Sequence, residues 1–292
     1  MLATATEGLL PRVQWRGHSI TRLILGHNPL KGTSHVSDAL SQEMREWYDP
    51  AKGNDLAVLA RAEACGINTV QFGGREMHDL LRRHKAAGGR LQWIATFYDM
   101  DADPRAAEAE LAAILAVDPP PIGIQLFGER TDRSFIESRM DIVRDHLARL
   151  RQTGLLVGVC SHLPQTLEYV EEKGWDCDFY QACFHTVYSN VTASRIERDF
   201  EKYDDADRDR MIRFIRQASR PCLAFKVLAA GRKCPSDEGL AAALRLAYDS
   251  IKPTDVVAVG MWQKYKDQVG QNTRLVRDIL AGKSRPDGAL AE

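Results

Sequence analysis

Short apolar runs alternate along the chain with longer stretches in which apolar residues return every three or four positions. The runs read SITRLILG, INTVQFGG, LQWIATFY, PIGIQLF, LLVGVCSH, CDFYQACFH, CLAFKVLAAG and DVVAVGM. They are apolar on both faces, as the strands of a fully covered parallel sheet are. Amphipathic helices are predicted between them, over 54–65, 75–87, 104–117, 132–153, 164–173, 206–219, 236–251 and 266–281. Met211, Phe214, Ile215 and Ala218 illustrate the spacing, which gives a helix one apolar face to lay on a sheet. Eight such units in 292 residues predict a closed (β/α)8 barrel, one domain over residues 1–292. A doubly wound open sheet is the alternative, because periodicity does not report closure. The segment PRVQWRGHS predicts a short hairpin at the barrel bottom.

Two connections are longer than a barrel needs: His27 to Gly53 after the first strand and His185 to Asp205 after the sixth. Both follow the carboxyl end of a strand, so both overhang the mouth where barrel sites are built. A binding or lid role is expected of them, with tolerated insertion as the alternative.

Composition narrows the partners. Lys plus Arg number 39 against 40 Asp plus Glu, an even balance that excludes attraction to nucleic acid or an anionic membrane and points to a small molecule. The oligomeric state is not legible. Neither a secretory signal nor a membrane-length apolar run is present, so a cytoplasmic protein is expected. Six cysteines lack CxxC spacing and several lie in strand runs, which fits reduced core thiols better than disulfides or zinc.

Polar residues gather at the predicted strand ends: His27, Glu76, Asp99, Gln125, Glu129, His162, His185 and Lys226. Single strand-end histidines are usually structural, but several around one rim point to a site. Two chemistries fit. In the first, Glu76 with His162 or His185 exchanges protons with a polyol or keto-sugar while Lys226 stabilises an enolate-like oxygen, giving elimination, isomerisation or epimerisation. In the second, His162, His185 and Glu129 hold Zn, Mn or Fe that polarises a carbonyl, although no HxH or HxxxH spacing marks the metal. Lys226 as a Schiff-base lysine is a third possibility. His27, Gln71, Asp99, Gln125 and Gln181 are the expected substrate contacts. Glu76 also has a bland reading, as a solvated acid in the first turn of a helix.

The order of the pieces resembles the aldo-keto reductase superfamily from Val13 to Leu280. GINTVQF is similar to that family's second strand, VGVCSH to its fifth, YQACF with Gln181 to its sixth, AFKVLAAGR to its seventh and VGMWQKYKDQVGQN to its eighth. The resemblance implies the barrel fold. It also implies an Asp, Tyr, Lys and His tetrad for reduction, but those positions hold Gln71, Glu76, Phe97 and Phe127. Tyr98 is the nearest substitute acid, and no lysine is expected beside it. For NADPH the resemblance points to Phe225 against the nicotinamide, and to Lys264, Lys266, Gln268 and Asn272 around the adenosine phosphate. Lys226 replaces the serine after the stacking ring, and Cys160 and Ser161 replace a Ser-Asn pair, so weak NADPH binding or none is expected. The resulting expectation is an enzyme of this fold acting by acid–base chemistry on a small polar carbonyl or carbohydrate-like metabolite. An atypical NADPH-dependent oxidoreductase is the alternative, and a noncatalytic ligand-binding protein the third.

Overall fold

A computed structural model describes residues 9–100, 103–192, 195–197, 202, 203 and 205–283. The chain opens with a hairpin of β1 (Arg12–Trp15) and β2 (His18–Thr21), paired with Val13 opposite Ile20 and Trp15 opposite His18. Arg16 and Gly17 both take positive φ, the geometry of a two-residue turn that matches strand twist. Alternation turns Val13, Trp15 and Ile20 inward, where they pack on Ile24, Ile94, Leu156, Phe179, Leu223 and Val256 inside the barrel. Trp15 stacks on Phe179 at 5.3 Å and donates to the Thr254 carbonyl. The hairpin closes the lower end, as its sequence predicts.

Eight parallel strands form the barrel: β3 (Leu23–Gly26), β4 (Thr69–Phe72), β5 (Gln92–Phe97), β6 (Gly123–Leu126), β7 (Leu156–Ser161), β8 (Phe179–Cys183), β11 (Cys222–Phe225) and β12 (Val256–Gly260). β12 pairs with β3, Val257 opposite Leu23, so the sheet is closed and the open alternative falls. The run SITRLILG proves to be two elements. Arg22 is the junction, its backbone N–H donating to the Pro11 carbonyl at the hairpin and its carbonyl accepting from the Val257 N–H of β12, so His18–Thr21 serves the hairpin and the barrel strand begins at Leu23.

Around the barrel lie α2 (Asn54–Ala64), α3 (Arg75–Ala86), α4 (Pro104–Leu115), α5 (Gly128–Ile136), α6 (Met140–Arg151), α7 (Pro164–Glu172), α8 (Asp205–Gln217), α9 (Asp237–Ser250) and α10 (Gln268–Leu280). Their apolar faces meet the outer strand faces, Leu240 and Leu244 of α9 and Met211 and Ile215 of α8 among them. The single helix predicted over 132–153 is two. Ser138 takes a left-handed φ of 56°, which an α-helix cannot continue through, and α5 ends before it. Among the described residues no helix is long and apolar enough to cross a membrane.

The first long connection carries α1 (Asp38–Trp47), N-capped by Ser37. It is strapped across the turn between β12 and α10: Glu43 accepts from Lys264 and Tyr265, and the Tyr48 hydroxyl donates to the Met261 carbonyl. The second begins with the buried stretch His185–Tyr188 and holds a small pair, β9 (Asn190–Val191) with β10 (Ile196–Glu197).

Candidate active site

A cavity of about 550 Å³ opens at the carboxyl ends of the barrel strands, within the ~300–1,000 Å³ range of small-molecule sites. Its floor is a polar layer made by strand alternation, with Gln71 on β4, Thr96 on β5, Gln125 on β6 and Gln181 on β8 all buried. Gln71 Nε2 donates to Thr96 Oγ1 at 2.6 Å. Gln125 Oε1, Gln181 Oε1 and His27 Nδ1 are buried with no protein hydrogen-bond partner. Desolvation, reinforced by the Lys31 charge, pushes the His27 pKa down to about 3, so that ring is neutral and one nitrogen is an acceptor.

On one wall His162 follows β7. Its Nδ1 lies 2.9 Å from Asp132 Oδ2, and Asp132 is fully buried in α5. The same carboxylate accepts from the His162 backbone N–H at 3.0 Å, the Tyr188 hydroxyl at 2.8 Å and the Ser161 hydroxyl. With Nδ1 committed, the Nε2 edge of His162 is the one left for the cavity that the residue lines. Gly128 is what allows α5 this close. A Cβ there would stand 2.8 Å from Cys160 Sγ and 3.1 Å from His162 Cε1. Burial raises the Cys160 thiol well above its usual range, which makes it a neutral wall group and not a nucleophile.

Lys226 lies beyond Phe225, whose ring meets His162 edge-on at 5.5 Å and carries the Lys226 ammonium 5.9 Å from its centre. Lys226 holds a left-handed φ of 55°, a strained state for a side-chain-bearing residue. His185 supports that backbone, its Nδ1 3.0 Å from the Lys226 carbonyl. The Lys226 ammonium and the Asn28 amide both approach Nε2 of His35, at 3.1 and 3.0 Å, which makes that nitrogen an acceptor. On the opposite side Lys31 bonds the Gly73 carbonyl and Glu76 at 3.1 Å, with its ammonium 5.3 Å from the centre of the Tyr98 ring.

The structure therefore brings His27, Gln71, Gln125, Glu129, His162, Gln181, Phe225 and Lys226 to one cavity. Others stand apart. Glu76 occupies the first turn of α3 with its side chain 55% exposed and paired with Lys31, so the partial burial expected of a catalytic acid is not found. Accordingly, Glu76→Gln should change stability by no more than about 0.5 kcal/mol in thermal melts and leave turnover intact. Asp99 sits on the turn after β5, its backbone N–H bonded to Glu110, and does not line the cavity. His185 is buried behind the wall, with a pKa lowered by desolvation, so its part is support and not chemistry at the cavity. The metal expectation is corrected with it. Among the described residues no three His, Cys, Asp or Glu side chains form a metal-binding group, and the three expected ligands are not gathered: His162 and Glu129 line the cavity, whereas His185 does not. Lys264 and Lys266 are spent on Glu43 and Asp237, and Asn272 is buried in α10. Of the presumed tetrad positions, Phe97 faces the helices and packs on His146, whereas Phe127 lies 4.8 Å from Tyr98 at the cavity.

Four participants escaped the sequence reading. Asp132 opens the stretch predicted helical over 132–153 and Tyr188 lies in the long connection after the sixth strand, neither with a local signal of its partner, and Lys31 and His35 lie in a connection without periodicity. The lysine beside Tyr98 corrects the expectation of none.

No protein-family model matches the sequence, and no curated protein matches it. Solved structures do. A Pseudomonas aeruginosa protein assigned to the aldo-keto reductases superposes with TM-score 0.57 and 17% identity, covering 96% of this chain and 100% of that one. A thermostable aldo-keto reductase in complex with the inhibitor epalrestat gives 0.56 and 13%, covering 91% and 94%. A Klebsiella pneumoniae aldo-keto reductase in complex with NADPH gives 0.53 and 16%, covering 92% and 90%. The chain has the aldo-keto reductase fold. At these identities the likeness is one of fold, and chemistry has to be argued from the site.

Proposed function

We propose that the protein is an enzyme that moves a proton at a carbon next to a carbonyl in a small hydroxylated metabolite. The observation that carries this reading is the buried Asp132–His162 pair at the cavity wall. With the Nδ1 proton given to Asp132, Nε2 holds the lone pair and serves as general base. It takes the proton, the C–H electron pair shifts into the carbonyl, and negative charge develops on oxygen. Lys226, across Phe225, supplies positive charge for that oxygen. Return of the proton by the same base to the neighbouring carbon gives an isomer, and loss of a β-substituent gives elimination. The floor favours hydroxylated ligands, because a hydroxyl is donor and acceptor at once and pairs with an amide in either orientation. The experiment is incubation in D2O with a panel of α-hydroxy ketones and keto-sugars, read by NMR. Deuterium at the α-carbon of at least one is expected, and none in any would overturn the reading.

A reductase reading draws on one observation, the Lys31 ammonium over the Tyr98 ring. Burial, with the Glu76 and Glu110 charges, nevertheless raises the Tyr98 phenol above its ordinary range, the wrong direction for a proton donor at neutral pH. The residues also fit NADPH poorly. His162 and Lys226 crowd the Phe225 ring, Ser161 is turned to Asp132, and Lys264 and Lys266 are neutralised by carboxylates. Titration of NADPH fluorescence should show no saturable low-micromolar site. A tight site with aldehyde reduction would put the reductase first.

A further inference from the structure

We infer that Tyr188, delivered by the long connection after β8, is a positioning residue that sets the basicity of His162 through Asp132. The inference rests on His162 being the base proposed above. Asp132 is a fully buried carboxylate with four donors on two oxygens, and three of them converge on Oδ2: the His162 backbone N–H, His162 Nδ1 and the Tyr188 hydroxyl. The Tyr188 oxygen is also 3.3 Å from His162 Nδ1, and its ring meets the imidazole edge-on at 5.3 Å. Since Nδ1 already gives its proton to Asp132, the phenol proton goes to Oδ2 as well. Tyr188 and His162 thus compete for the charge of one oxygen.

That competition has a direction. Each donor takes a share of the carboxylate's charge, and the remainder is what holds an imidazolium at position 162. Tyr188 therefore keeps His162 a weaker proton holder than Asp132 alone would make it, which leaves the Nε2 lone pair free to act as the base. The phenol cannot drift, because Leu163, Val187, Tyr203 and Ala229 pack around it. Burial and the Asp132 charge keep it protonated. The other ionisable groups around the pair are Glu129 from α5, Cys160 from β7, Cys183 from β8, Tyr203 from the connection after β8 and Lys226 just after β11, and removing the Tyr188 hydroxyl alters none of them.

The test needs no substrate. Long-range 1H–15N NMR of the full-length, 15N-labelled protein reports the tautomer and the pKa of His162 across pH. The wild type should show the Nδ1–H tautomer when neutral, and Tyr188→Phe should raise the His162 pKa by about half a unit or more. Replacing Tyr188 by 3-fluorotyrosine, a stronger donor of almost the same shape, should lower it, and decides the matter if Tyr188→Phe does not fold. An Nε2–H tautomer in the wild type, or a pKa that moves with neither change, overturns the inference. Loss of deuterium exchange in an otherwise wild-type NMR picture would instead strike the function proposed above.

Discussion

His162→Gln should lower α-carbon deuterium exchange by ~10²–10⁴-fold while the protein stays folded, because glutamine has no lone pair on nitrogen to take a proton. Its amide still reaches toward Asp132 as a donor, so the buried carboxylate keeps a partner in place of Nδ1. Exchange rates by NMR on the responding panel compound, with a thermal melt on the same sample, separate the two effects. A rate near that of the wild type would remove His162 from the chemistry and leave Lys226 as the group to test.

Asp132→Ala should destabilise the fold strongly. It strips the acceptor from the Ser161 and Tyr188 hydroxyls and the His162 backbone N–H, all in a region closed to bulk water. Each of these buried donors left without a partner costs about 1–3 kcal/mol, so losing their shared acceptor costs several kcal/mol, on the order of 3–5. For a chain of this length that lowers the melting temperature by on the order of 10 °C. Calorimetry measures it, and a melting temperature equal to the wild type's would mean the carboxylate is not what these donors depend on.

The barrel was legible because its signals are local and repeated. Strand runs apolar on both faces and helices with one apolar face specify a covered parallel sheet, and the segment PRVQWRGHS before the first strand predicted the hairpin. Floor residues were also visible, Gln125 as a polar residue at a predicted strand end and Gln181 through the resemblance of YQACF to the family's sixth strand. What the sequence hid is everything that depends on two distant segments meeting. Asp132 carries no mark of its partnership with His162, 30 residues away, and Tyr188 stands 56 residues from the carboxylate it donates to. Glu76 misled for the complementary reason: its position in the chain resembled a reactive one, while the packing of α3 turned it to solvent beside Lys31. Local pattern fixes which way a strand residue points, but not which loop residue will be waiting there.

The hairpin plug makes the cavity a room with one door. Because Val13, Trp15 and Ile20 fill the lower end, traffic with solvent passes through the mouth between the strap that bears α1 and the stretch after β11. A molecule resting on the glutamine floor must leave by the way its successor comes in, so product and substrate exclude each other, and product should inhibit as a simple competitor.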